Sequence, residues 1–89
     1  MPDRVWVFCG ESSLFPSGVF SSKERAEEWI LANHLTGTLT AYPVDVSVYE
    51  WAIEHGYFKP KEDKDRTSKF IQQFSSASQE HYHYQDGKV

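Results

Sequence analysis

The sequence predicts an α+β domain, a small and mainly antiparallel sheet in the order β-β-α-β-α-(α)-β with two main helices packed on it. Three observations carry this expectation. "RVWVFCG" is a β-branched and aromatic run, "SSKERAEEWILANHLTG" and "DVSVYEWAIEHGYF" combine helical spacing with cap and stop residues, and "QEHYHY" alternates with a period of two.

Arg4–Cys9 reads as the first strand, ended by Gly10, with Val5, Val7 and Cys9 on one face and Trp6 and Phe8 on the other. Apolar residues on both faces suit a central strand covered on both sides. "ESSLFPSG" is a turn punctuated by Pro16 and Gly18, and "GVFSS" returns from it as a second strand of a hairpin. Ser21 followed three residues later by Glu24 has capping-box spacing and opens the first helix. Ala26, Trp29, Ile30 and Asn33 share its inner face, and Gly37 is the expected stop. His34 falls in the last turn, where a positive imidazole favours the helix dipole.

"TLTAYPVD" alternates Leu39 and Ala41 against Thr38, Thr40 and Tyr42, a third strand that Pro43 ends because it lacks an N–H. Asp45 or Ser47 caps the second helix, Ser47 and Glu50 repeating the capping-box spacing. Val48, Trp51, Ala52 and His55 fall on one face, and Gly56 closes the helix. Trp29 and Trp51 are the expected core anchors, one from each helix. Residues 61–69, "KEDKDRTSK", carry almost nothing to bury and read as an exposed charged loop. Phe70, Ile71 and Phe74 recur at helical spacing and predict a short third helix.

At 89 residues the chain predicts one domain, 1–89, in which three Trp, five Tyr and six Phe supply the bulk of the core. Its net charge is −4, with nine Lys and Arg against thirteen carboxylates. That balance disfavours phosphate-backbone binding, so no nucleic acid is expected as partner. It suits a basic protein approached by electrostatic steering. Cys9 is the single cysteine and reads as a small buried hydrophobe of a strand. "MPDRVWVFCG" lacks the form of a secretory signal, and no apolar run reaches the roughly 20 residues of a membrane helix, so a cytoplasmic chain with no membrane partner is expected.

The chemistry of the sequence gathers at "EHYHYQDGKV". On a strand, His81 and His83 point the same way, about 7 Å apart, while Tyr82 and Tyr84 point the other way with Glu80. Two imidazoles on one face suit a metal, as in H-x-H pairs of zinc enzymes, and third ligands would come from His34, His55, Asp86 or Cys9. None of those stands at a spacing that forces convergence, so no metal and no cofactor are expected, and the tyrosines are expected to cover the core while the histidines face outward. No nucleophile elbow, phosphate loop or dinucleotide fingerprint occurs, and no catalytic residue is assigned.

The stretches "FPSGVFSSKERAEEWI", "LTGTLTAYPVDVSVYEWAIEHGYF" and "HYHYQDG" resemble a family of small bacterial proteins of uncharacterised function, with L-T-x-Y-P-V-D, Y-x-W-A and H-Y-H-Y motifs along nearly the whole chain. The resemblance brings domain limits and no activity. The functional expectation is a non-catalytic protein-binding module, most concretely an acidic immunity-type inhibitor that occludes a basic protein such as a toxin. His81, His83, Tyr82, Tyr84, Asp86, Glu50 and Glu54 are its candidate contact residues. The alternative is a small metal-binding protein or metal-dependent enzyme built on the terminal H-x-H.

Overall fold

In a computed structural model, residues 3–89 are described. Their contacts divide the chain into two compact units, one reaching up to Val44 and resuming at Gln79–Val89, the other spanning Asp45–Ser78.

The first unit is a four-stranded sheet carrying one helix. Strand β1 (Arg4–Gly10) runs down its centre, paired on one side with β2 (Gly18–Phe20) and on the other with β3 (Gly37–Pro43), which pairs in turn with β4 (His81–Tyr84). Every pairing is antiparallel, in line with the mainly antiparallel sheet expected from the sequence. The registers Trp6↔Phe20, Trp6↔Ala41, Phe8↔Leu39, Leu39↔Tyr82 and Gly37↔Tyr84 place these side chains on one face. Helix α1 (Lys23–Ala32) lies over that face, sending Ala26 and Ile30 into a core of Trp6, Phe8, Leu39, Ala41 and Tyr84. Trp29, expected as a core anchor, is half-buried and flanks the core, edge-on to Phe8 at 5.6 Å and tilted against Phe20 at 5.3 Å. The opposite face differs from the expectation for β1: Val5, Val7 and Cys9 are only half-buried, so full cover is confined to the helix side.

Both ends of α1 depart from the expected caps. Ser22, not Ser21, is the N-cap, its hydroxyl accepting from the Arg25 N–H at 3.2 Å. The helix ends at Ala32 without a glycine. His34 takes the left-handed conformation (φ 54°), its N–H reaching the Leu31 carbonyl while the Leu35 N–H reaches that of Ile30. These two bonds make a Schellman motif with histidine in the usual glycine place, and Leu35 then packs against the core. His34 therefore stops the helix rather than decorating its last turn. Gly37 serves β3 instead. A Cβ there would press on the Cys9 carbonyl oxygen and lie 2.8 Å from the Gly10 Cα, so only glycine lets β3 approach β1 this closely. After β4, Asp86 (φ 51°) and Gly87 (φ 86°) form a two-residue turn closed by bonds between Gln85 and Lys88.

The second unit contains α2 (Val48–Glu54), a 3₁₀ turn (Asp63–Arg66) and α3 (Ser68–Gln72). Ser47 caps α2 through the Glu50 N–H, and Gly56 (φ 77°) closes it, both as expected. The inner face turns on Tyr49 and Ala52 rather than on Trp51. Tyr49 meets Phe58, Phe70 and Phe74 within 6.3 Å, and its hydroxyl donates to the Asp65 carbonyl at 2.7 Å. Trp51, expected as a core anchor, is half-buried and lies against His55 and Tyr57. Ile71 stays exposed, away from Phe70 and Phe74. The segment 61–69 is exposed apart from half-buried Asp65, yet it is ordered by bonds from the Lys61 and Glu62 N–H groups to the Asp65 carboxylate. Those bonds hold that carboxyl below the ordinary range.

Gly37→Ala should destabilise the first unit by about 1–3 kcal/mol, because the clash is with backbone that cannot rotate away. Urea unfolding followed by tryptophan fluorescence checks this, and a midpoint equal to that of the parent would contradict the close β1–β3 approach.

Candidate functional site

The two faces of β4 divide the work of the sequence H-Y-H-Y. Tyr84 is buried and donates its hydroxyl to Glu27 of α1 at 2.6 Å, tying the last strand to the helix. Burial, reinforced by that bond, raises the Tyr84 hydroxyl above the ordinary tyrosine range. Tyr82 is half-buried, with its ring 6.1 Å from that of Trp6 and the Lys23 ammonium 3.9 Å from its centroid. Its hydroxyl donates to Glu80, whose other oxygen accepts from Arg4 at 2.8 Å. The Tyr82 hydroxyl, and after it the Arg4 guanidinium, hold the Glu80 carboxyl below its usual value. Small Ala41, between Trp6 and Glu80 in the sheet, lets these groups meet across β3. Beneath them, buried Gln79 donates from Nε2 to the Ala41 carbonyl at 3.2 Å.

The opposite face carries His81 and His83, both exposed, with ring centroids 5.3 Å apart and planes at 88°. They stand in rows with β3 and β1: His81 beside Thr40 and Val7, His83 beside Thr38 and Cys9. His81 Nδ1 lies 2.8 Å from the Gln79 carbonyl oxygen, which can only accept, so that nitrogen carries the proton. His83 Nδ1 lies 3.3 Å from the Thr38 hydroxyl. Val19 and Tyr42 extend the same face with exposures of 62% and 36%. Cys9 is half-buried, its thiol donating to the Ser13 carbonyl at 3.6 Å. An open depression of about 300 Å³ beside it is lined in part by Thr38, His83 and Glu11.

The remaining expected contact residues are scattered. Asp86 belongs to the terminal turn, its N–H donating to the Thr36 hydroxyl at 3.0 Å. Glu50 and Glu54 are exposed on α2 of the second unit. His55, also in that unit, has its Nδ1 2.9 Å from the Trp51 carbonyl oxygen. Among the described residues, no three His, Cys, Asp or Glu side chains gather into a metal-holding group.

Sequence reasoning missed the most exposed apolar feature. The loop from β1 to β2 displays Leu14 at 90% exposure and Phe15 at 77%, directly before Val19 on the open face. Its only signal was an apolar pair inside a turn otherwise made of Glu, Ser, Pro and Gly. The first unit also holds most of the acidity, with seven carboxylates against four Lys and Arg.

A family model described as a domain of unknown function, DUF7710, matches residues 5–89, and the chain belongs to that family. No curated protein and no solved structure matches it. Among the described residues no helix is long and apolar enough to cross a membrane.

The Tyr84–Glu27 bond gives a pH test. Because the folded hydroxyl is held neutral, its stabilisation is present below the unfolded tyrosine value of about 10 and is lost as pH rises above it. Tyr84→Phe should cost about 1 kcal/mol at pH 8, and the gap to the parent should narrow by pH 11. Urea midpoints at the two pH values measure this; a constant gap would contradict a buried, hydrogen-bonded Tyr84.

Proposed function

We propose that this member of a family of unknown function is a non-catalytic protein-binding module, an inhibitor-type domain that occludes a basic protein partner. The observation that carries the reading is the exposure of Leu14 and Phe15 on the β1–β2 loop. Each such side chain contributes roughly 1.5–3 kcal/mol when it moves from water into an apolar pocket, so a partner gains most from covering them. Val19 continues the apolar surface onto the open sheet face, and Val5 and Val7 lie half-buried on the same face.

Charge supports a basic partner. With an excess of carboxylates in the sheet unit, and Glu11 in the same loop as Leu14 and Phe15, approach of a cationic surface is accelerated and that of an acidic one opposed. His81 and His83 stand on the same open face as Val19, whereas Tyr82 and Tyr84 support it from behind. An immunity-type role, in which the partner is a basic toxin blocked by steric cover, is the concrete form of this proposal. It asks the domain for shape and charge and for no chemistry on a substrate.

Affinity purification from the source cells tests this, comparing the parent with Leu14→Ser/Phe15→Ser and with Leu31→Ser on the exposed side of α1. The parent and Leu31→Ser should retain one stoichiometric basic protein, released by raised salt, and the double variant should lose it while keeping its circular dichroism spectrum. Equal retention by the double variant, or an acidic partner, would contradict the proposal.

A further inference from the structure

We propose that His81 and His83 form a two-imidazole chelate for a late first-row divalent cation such as zinc, independently of the partner-binding reading. The first support is distance. A zinc–nitrogen bond of about 2.0–2.1 Å puts the ion roughly 3.2 Å from an imidazole centroid, so two rings bound at a tetrahedral angle have centroids about 5.2 Å apart. The two rings stand at 5.3 Å.

The second support is the state of the nitrogens. His81 gives its Nδ1 proton to the Gln79 carbonyl, which leaves the lone pair of the neutral ring on Nε2. A backbone carbonyl behind the ring is the usual outer partner of a metal-bound histidine, fixing both tautomer and orientation. His83 Nδ1 lies 3.3 Å from the Thr38 hydroxyl, which can accept its proton and so leave the lone pair on Nε2, and neither Nε2 has a hydrogen-bond partner among the described residues. Both imidazoles are exposed, so the ion keeps water in its remaining positions and needs no third side chain. Paired neutral imidazoles suit zinc, nickel and copper, whereas magnesium and calcium prefer oxygen ligands. The strand supplies the preorganisation: β4 is fixed by its pairing with β3 and by the Tyr84–Glu27 bond, so no backbone rearrangement precedes binding.

The test is a zinc titration of the full chain followed by imidazole ¹⁵N resonances, with His81→Gln and His83→Gln as single variants and magnesium as the comparison ion. The proposal expects one zinc per chain, with the Nε2 signals of His81 and His83 moving together and those of His34 and His55 staying in place. Each single variant should weaken binding about tenfold or more, because losing either ring removes the effective concentration that a chelate provides. Unchanged circular dichroism spectra would show that both variants fold. Equal shifts at all four histidines, a single variant that binds zinc like the parent, or a response to magnesium matching that to zinc would each overturn the chelate.

Discussion

The site rests on the pairing of β4 with β3 in one register, Leu39 opposite Tyr82 and Thr40 opposite His81. The pleat has a period of two, so this register decides which half of H-Y-H-Y is buried. With Leu39 beside Tyr82, the tyrosines face α1 and the histidines face outward; a slip of one residue would exchange them. Two contacts hold the register from the helix side, Tyr84 on Glu27 and Arg4 on Glu80, and Tyr82 steadies Glu80 for the second. At the far end of the ladder, Gly37 lets β3 lie close to β1 beside Cys9 and Gly10.

The same division of faces organises the function. The helix-covered face buries Trp6, Phe8 and Leu39. The open face combines valines, threonines and two imidazoles, and the loop beside β2 adds Leu14 and Phe15. A surface of this kind can seat a protein through its apolar parts and a cation through its histidines without either role disturbing the core.

Much of the fold was legible in the sequence. Strand alternation placed β1, β3 and β4, and the expected parity of H-Y-H-Y, tyrosines inward, is the one observed. Local hydrogen-bond competition is harder to read. Ser21 and Ser22 both suit an N-cap, and the Arg25 N–H selects the second. His34 could not be recognised as a helix stop, since left-handed histidine is uncommon and Gly37 offered a more obvious one. On α2 the preference for Trp as an anchor hid Tyr49, which three phenylalanines from later in the chain enclose. Of the site, the histidine pair could be read from spacing, but Thr38 and the Gln79 carbonyl depend on pairing and on a neighbouring backbone turn. The exposed Leu14 and Phe15 escaped notice because a turn sequence does not say which of its side chains find cover.

The register of β4 is the central claim, and nuclear Overhauser effects between α-protons test it most directly. The Ala41 N–H donates to the Glu80 carbonyl, which makes Thr40–His81 and Thr38–His83 non-hydrogen-bonded pairs, where opposing Cα atoms approach to about 4.5 Å. Strong α-proton cross-peaks between Thr40 and His81 and between Thr38 and His83 are the predicted result. Cross-peaks joining Leu39 to His81, or Thr40 to Tyr82, would place the histidines on the helix side and contradict the account.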